Sequence, residues 1–237
     1  MLSLTQLRKI RNIKHIAPYD MFTLCEAIFL HDGDPNFPHA LLTDGKTCST
    51  GYIKTSDVTM HPNLKGLLVT GMLSGLEELG IEPGDFDAII SSSMAALTIG
   101  DGLSEKTGAI FAYTEKKGED QVWTSRFEFP PGIRVIHAEE LITKTKTVKK
   151  VHDAFVAANP EAEFVKVGGK NVVVNVFWRP PDLSVTDPDF RLVNLIEKQI
   201  VSRPISECDH CQIIQPISPK TRWSEFIAHM QGAAAAI

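Results

Sequence analysis

Apolar residues recur at helical spacing through the middle of the chain and collect into short blocks elsewhere. From Asn63 to Leu79, the residues Leu64, Leu67, Leu68, Met72, Leu76 and Leu79 share one helical face, and Gly80 and Pro83 stop the helix. Upstream, the pattern predicts a short basic helix near Leu4–Ile13 and an amphipathic helix over Tyr19–Leu30. A polar, Pro-containing turn follows from His31 to His39. Ala40–Thr43 and Cys48–Thr55 read as strands flanking Asp44-Gly45-Lys46, the signature of a hairpin turn.

Downstream the period switches repeatedly between strand and helix. Strand Ala88–Ile90, a helix from Met94 to Lys106, strands Ala109–Tyr113 and Arg134–His137, helix Thr147–Ala158 and strand Phe164–Val167 follow in order. Strands separated by helices predict an α/β fold, a central parallel sheet flanked by helices. Asn171–Trp178 and Leu192–Ile200 alternate as strands, and Thr221–Met230 reads as a terminal helix. The expected organisation is one globular unit: N-terminal helices and hairpin over residues 1–62, a core over 63–170, and C-terminal strands, a Cys-x-x-Cys segment and a helix over 171–237.

Ligands of parallel sheets sit beyond the carboxyl ends of the strands, which here are Ser91-Ser92-Ser93, Thr114–Lys117 and Glu139–Thr147. The third carries the most chemistry. An apolar strand runs into Glu139 and Glu140, then into Thr143-Lys144-Thr145-Lys146-Thr147 at a helix start. A helix start offers unpaired N–H groups and partial positive charge, threonines add donors, and carboxylates can hold sugar hydroxyls or Mg²⁺. That is the layout of a ribose-phosphate site; the plainer reading is a solvated acidic pair and a charged helix face. The charged segment from Glu115 to Arg126 is long enough to be a flap.

Composition narrows the class. With 237 residues, 43% hydrophobic and 22% charged, the chain can bury a full core, and a net charge of −5 argues against general nucleic-acid binding. No apolar run approaches the roughly 20 residues that span a bilayer, and the N-terminus lacks the apolar region of a signal peptide, so no membrane association and a cytoplasmic location are expected. Cys208 and Cys211 form half of a possible zinc site, with His210 or the distant Cys25 and Cys48 as completions. A single pair favours a structural turn with reduced thiols, and no metal ligand is assigned. His31, His39 and His61 lie near Pro or Asp in turns and read as surface or hydrogen-bonding residues.

Several segments resemble, in order and spacing, landmarks of the type I phosphoribosyltransferases, specifically the orotate phosphoribosyltransferases. They are Asp87-Ala-Ile-Ile-Ser-Ser-Ser-Met-Ala-Ala, Gly108-Ala-Ile-Phe-Ala-Tyr-Thr-Glu, Phe127-Glu-Phe-Pro-Pro-Gly-Ile-Arg leading to Glu139-Glu140-Leu-Ile-Thr143, and Glu207-Cys-Asp-His-Cys. Leu42-Thr-Asp-Gly45-Lys46 looks like that family's hood segment over the base.

The resemblance implies transfer of a phosphoribosyl group from phosphoribosyl pyrophosphate to a pyrimidine base, with Mg²⁺ as cofactor and a homodimer as the assembly. It implies that Glu139, Glu140, Thr143, Lys144, Thr145, Lys146 and Thr147 bind the ribose phosphate, and that Ser91, Ser92 and Ser93 line the pyrophosphate. Lys116 and Lys117 become the catalytic loop cations, and Lys46 and Arg126 the base contacts. The family's turn after the acidic pair reads Thr-Thr-Gly-Gly, whereas this chain has Thr143-Lys144-Thr145-Lys146, and Ala95-Ala96 stand where a Gly-Gly pair is usual. Those departures carry a second expectation, a catalytically degenerate member of the fold kept as a nucleotide-binding or interaction module.

Overall fold

The computed structural model describes residues 3–184 and 186–235. Helix α1 (Leu4–Arg11) opens on a reciprocal cap in which the Ser3 hydroxyl accepts from the Gln6 amide and the Gln6 side chain accepts from the Ser3 amide. Helix α2 (Pro18–Leu24) ends before the predicted Leu30. Glu26 takes a positive φ of 52°, and the Ala27 amide closes on the Phe22 carbonyl at 2.8 Å. The apolar run that follows becomes strand β1 (Ile28–Leu30).

The predicted hairpin forms as β2 (Ala40–Leu41) and β3 (Thr47–Ser49). Its second strand breaks at Thr50, whose amide bonds Val201 and whose carbonyl bonds the His31 amide, so the chain switches partners. Strand β4 (Gly51–Ile53) then pairs antiparallel with β1. Helices α3 (Ser56–Thr59) and α4 (Pro62–Glu77) lead into the core.

The core runs β5 (Ala88–Ser91), α5 (Leu97–Thr107), β6 (Ile110–Tyr113), a hairpin β7 (Glu115–Lys117) and β8 (Asp120–Val122), β9 (Arg134–Ile142) and α6 (Lys146–Ala158). Short strands β10 (Glu163–Phe164) and β11 (Lys166–Val167) precede β12 (Lys170–Trp178) and β13 (Phe190–Glu197). The sheet order is β6-β5-β9-β12-β13, all parallel. Buried Val172, Val173, Val174, Val176 and Phe177 make β12 a central strand covered on both faces, not the alternating strand the sequence suggests. β13 starts at Phe190, earlier than the predicted Leu192. The intervening crossover, with Pro180, Pro181 and Pro188, joins two parallel neighbours without a helix among its described residues.

Helices α4 and α5 cover one face of the sheet through Leu64, Leu68, Met72, Ile99 and Leu103, which share a core with Ile136, Val174 and Val176. Helix α6 covers the other through Val151 and Phe155 against Ala88, Ile90 and Val135. Each such fully buried side chain contributes roughly 1.5–3 kcal/mol, and truncating Phe155 to Ala should cost about 3–5 kcal/mol. Helix α5 can approach β5 and β6 only because position 100 is glycine: a Cβ there would lie 2.2 Å from the Phe111 ring and 2.5 Å from Ser91 Oγ.

The remaining segments form a hood over the N-terminal elements. Strand β14 (Ser202–Pro204) adds to β3, and helix α7 (Asp209–Ile213) follows. Helix α8 (Pro219–Ala235), kinked at Arg222, packs Phe226 against Phe29 of β1 with ring centroids 4.5 Å apart.

Candidate functional site

The sheet order reverses at β5. The chain leaves β5 for β6 on one side through α5, then returns to β9 on the other side. Loops after β5 and β9 therefore diverge, and the crevice between them is where α/β sheets place ligands. Ser91 ends β5 opposite Ala138 of β9, so Ser92, Ser93 and Glu139 meet at this reversal. The Ser92 hydroxyl donates to Glu139 Oε2 at 2.8 Å, bridging the two strand ends. The buried Ser91 and Ser93 hydroxyls have no hydrogen-bond partner among the described residues, and the Ser93–Met94 peptide is cis.

The acidic pair is not in a loop. Strand β9 continues to Ile142, past the predicted end at His137, and successive residues of a strand face opposite sides. Glu139 lies on the face of His137, whose Nε2 is 2.8 Å from Glu139 Oε1, and the His137 ring packs 5.1 Å from the His152 ring of α6. Glu139 is 4% exposed and its two oxygens are thus both engaged within the protein. Glu140 faces the other way. Loss of water around it, together with the neighbouring Glu139 charge, pushes its carboxyl up to about 7; the nearby Thr55 hydroxyl offsets this only in part. His152, stacked on Phe164 at 3.8 Å, is held neutral by burial first and by His137 second, its pKa pushed down to about 2.

The turn from Thr143 to Thr147 is tied to the β12–β13 crossover. The Thr143 hydroxyl accepts from Arg179 Nε at 2.8 Å, and the Thr145 hydroxyl donates to Asp187. Asp187 is itself fixed, its other oxygen accepting the amides of Asp189 at 2.8 Å and Phe190 at 3.0 Å. A cavity of about 300 Å³ lies beside Thr143, Lys144 and Thr145, walled by Trp178, Pro180, Pro181 and Pro188. Helix α6 nevertheless starts open: Thr145 occupies the capping position without capping, and its first turn holds no acidic residue. Lys144 and Lys146 are exposed there and make no ion pair among the described residues, and Thr147 is exposed beside them.

The predicted flap is the β7–β8 hairpin, with Lys116 and Lys117 exposed on its first strand. It folds back on α6, where Lys150 Nζ reaches the Glu119 carbonyl at 2.6 Å and Asp120 at 2.9 Å. Arg126 pairs with Glu115 at 3.2 Å, and Trp123 docks edge-on against Phe155 at 4.9 Å. Lys46 is exposed in the hood turn, separate from the strand ends in sequence and in sheet; its carbonyl accepts the Ile205 amide at 3.0 Å. The strand ends thus gather Ser91–Ser93, Glu139 and the turn after it, while Lys46 stands on the hood hairpin, Lys116 and Lys117 on the β7–β8 hairpin and Arg126 in the turn after β8. Sequence reasoning missed His137, Arg179 and Asp187. The i, i+2 pairing of His137 with Glu139 was the one signal available, and it is readable only once the strand is known to extend.

The fold is the one seen in solved phosphoribosyltransferase structures. The chain superposes on the orotate phosphoribosyltransferase of Aeropyrum pernix with a TM-score of 0.56 at 14% identity, over 75% of this chain and 92% of that one. Leishmania donovani UMP synthase superposes with a TM-score of 0.55 at 16% identity, over 91% of this chain and 42% of that one. In sequence, the chain resembles proteins named orotate phosphoribosyltransferase. The relative from Nitratiruptor sp. is 30% identical over 118 residues, 50% of this chain and 56% of the relative. The relative from Pelotomaculum thermopropionicum is 25% identical over 197 residues, 83% of this chain and 95% of the relative. The match thus spans little more than half the length of the Nitratiruptor relative. No family model matches the chain.

Proposed function

We propose that this chain binds a phosphoribosyl ligand across the β5–β9 reversal and transfers the phosphoribosyl group to a pyrimidine base of the orotate type. The observation that carries the reading is the open start of α6 beside the reversal. Uncapped amides, no first-turn acid and the exposed cations Lys144 and Lys146 form a phosphate cradle made partly of side chains where glycine backbone is absent. Ser91–Ser93 would lie along the path of the departing pyrophosphate, and the unpartnered Ser93 hydroxyl is the one set to donate to it, since the Ser91 hydroxyl is buried against Gly100 of α5.

Glu140 supplies hard oxygen donors of the kind Mg²⁺ takes alongside ligand phosphates, and as a carboxylate it would hold the ribose side of the ligand. Mg²⁺, when bound, would neutralise the leaving pyrophosphate. Lys116 and Lys117 reach the leaving group only if the β7–β8 hairpin swings away from α6, releasing the Lys150 contacts. Lys46 and Arg126 are the proposed base contacts. Assembly as a homodimer follows from the resemblance alone and is read directly by light scattering.

A specific observation favours a second reading, binding without turnover. Glu139 is already saturated by His137 and Ser92, and Asp187 sets a carboxylate against the very turn that would receive a phosphate. Calorimetric titration with phosphoribosyl pyrophosphate and Mg²⁺, followed by a pyrophosphate-release assay with orotate, separates the two. Release supports transfer; binding without release from any pyrimidine or purine base selects the second reading; no binding rejects both.

A further inference from the structure

The hood holds a second convergence of reactive side chains, independent of the strand-end site. His39 lies just before β2, Cys48 is in β3, Cys208 leads into α7 and Cys211 lies within it. Strand β3 pairs with β2 on one side and with β14 on the other, setting Cys48 opposite both Leu41 and Arg203. The chain then turns after β14 and lays α7 back over this small sheet. Cys208 Sγ comes to 3.4 Å from His39 Nδ1, and Cys211 Sγ to 3.6 Å from the same nitrogen. One ligand atom from each of the four residues lies within 4.8 Å of every other, and all four residues are buried.

We propose that His39 Nδ1 and the sulfurs of Cys48, Cys208 and Cys211 form a closed, four-coordinate structural site for Zn²⁺. The donor set is soft and of the right number, three thiolates and one imidazole. A tetrahedron with metal–sulfur bonds of about 2.3 Å has ligand–ligand edges of about 3.8 Å, so the observed separations need only small side-chain adjustments to accept the ion. Burial of all four ligands leaves no open coordination position, which marks a structural centre and not a catalytic one. The bound site would carry a net charge of about −1, and Arg203, opposite Cys48 on β14, is placed to balance it.

The surrounding shell orients the imidazole. His210 stacks on His39 at 4.3 Å and His31 meets it edge-on at 4.7 Å, and both are anchored by the Phe37 carbonyl, each with Nε2 at 2.8 Å. These histidines also make a competing trio, His31, His39 and His210. That trio is disfavoured because His31 spends both ring nitrogens: Nε2 donates to Phe37, and Nδ1 accepts the Gly33 amide at 3.0 Å. The Cys-x-x-Cys pair therefore finds its completion in Cys48 and in His39, the residue read as a turn histidine. Cys25 belongs to the main core and takes no part.

The test is metal analysis of the untagged full chain, purified with a reductant and then exposed to excess Zn²⁺ and a mild chelator. About one zinc per chain is expected, with at least a tenfold loss of occupancy in Cys48→Ser and Cys211→Ser and none in Cys25→Ser. Because a serine variant can fail to fold, the wild-type protein carries the deciding measurement. X-ray absorption should show three sulfurs at about 2.3 Å and one nitrogen at about 2.0 Å, and a Co²⁺-loaded sample should show thiolate charge-transfer bands. A shell of nitrogen alone, as the histidine trio would give, overturns the proposal. So does a metal-free protein after reconstitution, whether its thiols are all titratable or two are lost to a disulfide.

Discussion

The turn after β9 and the cluster under the hood are both built from side chains that water would normally keep, and they resolve that tension in opposite ways. At the turn Glu139 and two threonine hydroxyls have found protein partners: Glu139 with His137 and Ser92, Thr143 with Arg179, Thr145 with Asp187. Under the hood, three sulfurs and an imidazole nitrogen face one another with little else to bond. A saturated network fixes its own shape, whereas a convergence of lone pairs asks for a cation to fill it. Adjacency along the chain is thus a poor guide to which site is waiting for a ligand.

The largest expected effect tests that contrast on the hood side. Stripping the metal with a strong chelator should lower the melting temperature by about 10 °C or more, since structural zinc contributes several kcal/mol and a chain of this size shifts about 2–4 °C per kcal/mol. Calorimetry with and without added zinc reads this directly, and an unchanged midpoint would erase the difference between the two sites.

Next in size, Glu139→Ala should destabilise the fold by about 2–4 kcal/mol in urea titrations, because His137 is left buried without its partner. Glu139→Gln should cost less, since an amide can still meet both Ser92 and His137. Equal losses would argue that the network is not what holds the turn.

A smaller effect concerns pH. Glu140 titrates near 7 in the fold and near 4.5 when unfolded, so the folded state binds more protons between those values, and the stability that Glu140 contributes declines as pH rises through that window. Glu140→Gln should remove this slope, worth on the order of 1–2 kcal/mol after discounting for its partial exposure. His152 acts with the other sign: held neutral in the fold, it costs stability as pH falls below about 6.5, when the unfolded chain takes up a proton. Denaturation midpoints at pH 5, 6 and 8 for wild type, Glu140→Gln and His152→Phe distinguish the two slopes.

The mildest changes address the ligand. Lys144→Ala and Lys146→Ala should each weaken phosphoribosyl pyrophosphate binding by about 3–10-fold with no change in melting temperature, whereas Asp187→Asn should strengthen it by removing a like charge. Titration calorimetry on the three variants decides whether the turn receives a phosphate.

Much of the fold was legible in the sequence because it rests on local periodicity. The Leu64-to-Leu76 stripe became α4, and the short apolar blocks between helices became the parallel strands. What stayed hidden depended on distant partners. Glu139 and Glu140 looked like loop residues because carboxylates are disfavoured inside sheets, and the bonds that admit Glu139 come from Ser92, 47 positions away. Ile28-Phe29-Leu30 suited a helix as well as a strand until the positive φ at Glu26 decided it. The prolines of the crossover concealed that β12 and β13 are neighbours, and with that the partners of Thr143 and Thr145. In the hood, the spacing of Cys208 and Cys211 was visible, but the imidazole that faces them lies 169 residues upstream.

The hood's construction from both ends of the chain also has a consequence in time. Ser49 of β3 meets Ser202 of β14 across 153 positions at 2.9 Å, and Phe29 of β1 is covered by Phe226 of α8. As the polypeptide leaves the ribosome, β1 to β4 therefore wait for nearly the whole chain while the central sheet can already assemble behind them. The hood should close last, and a nascent chain stalled before β14 should expose Cys48 to a thiol-reactive probe that the finished protein excludes.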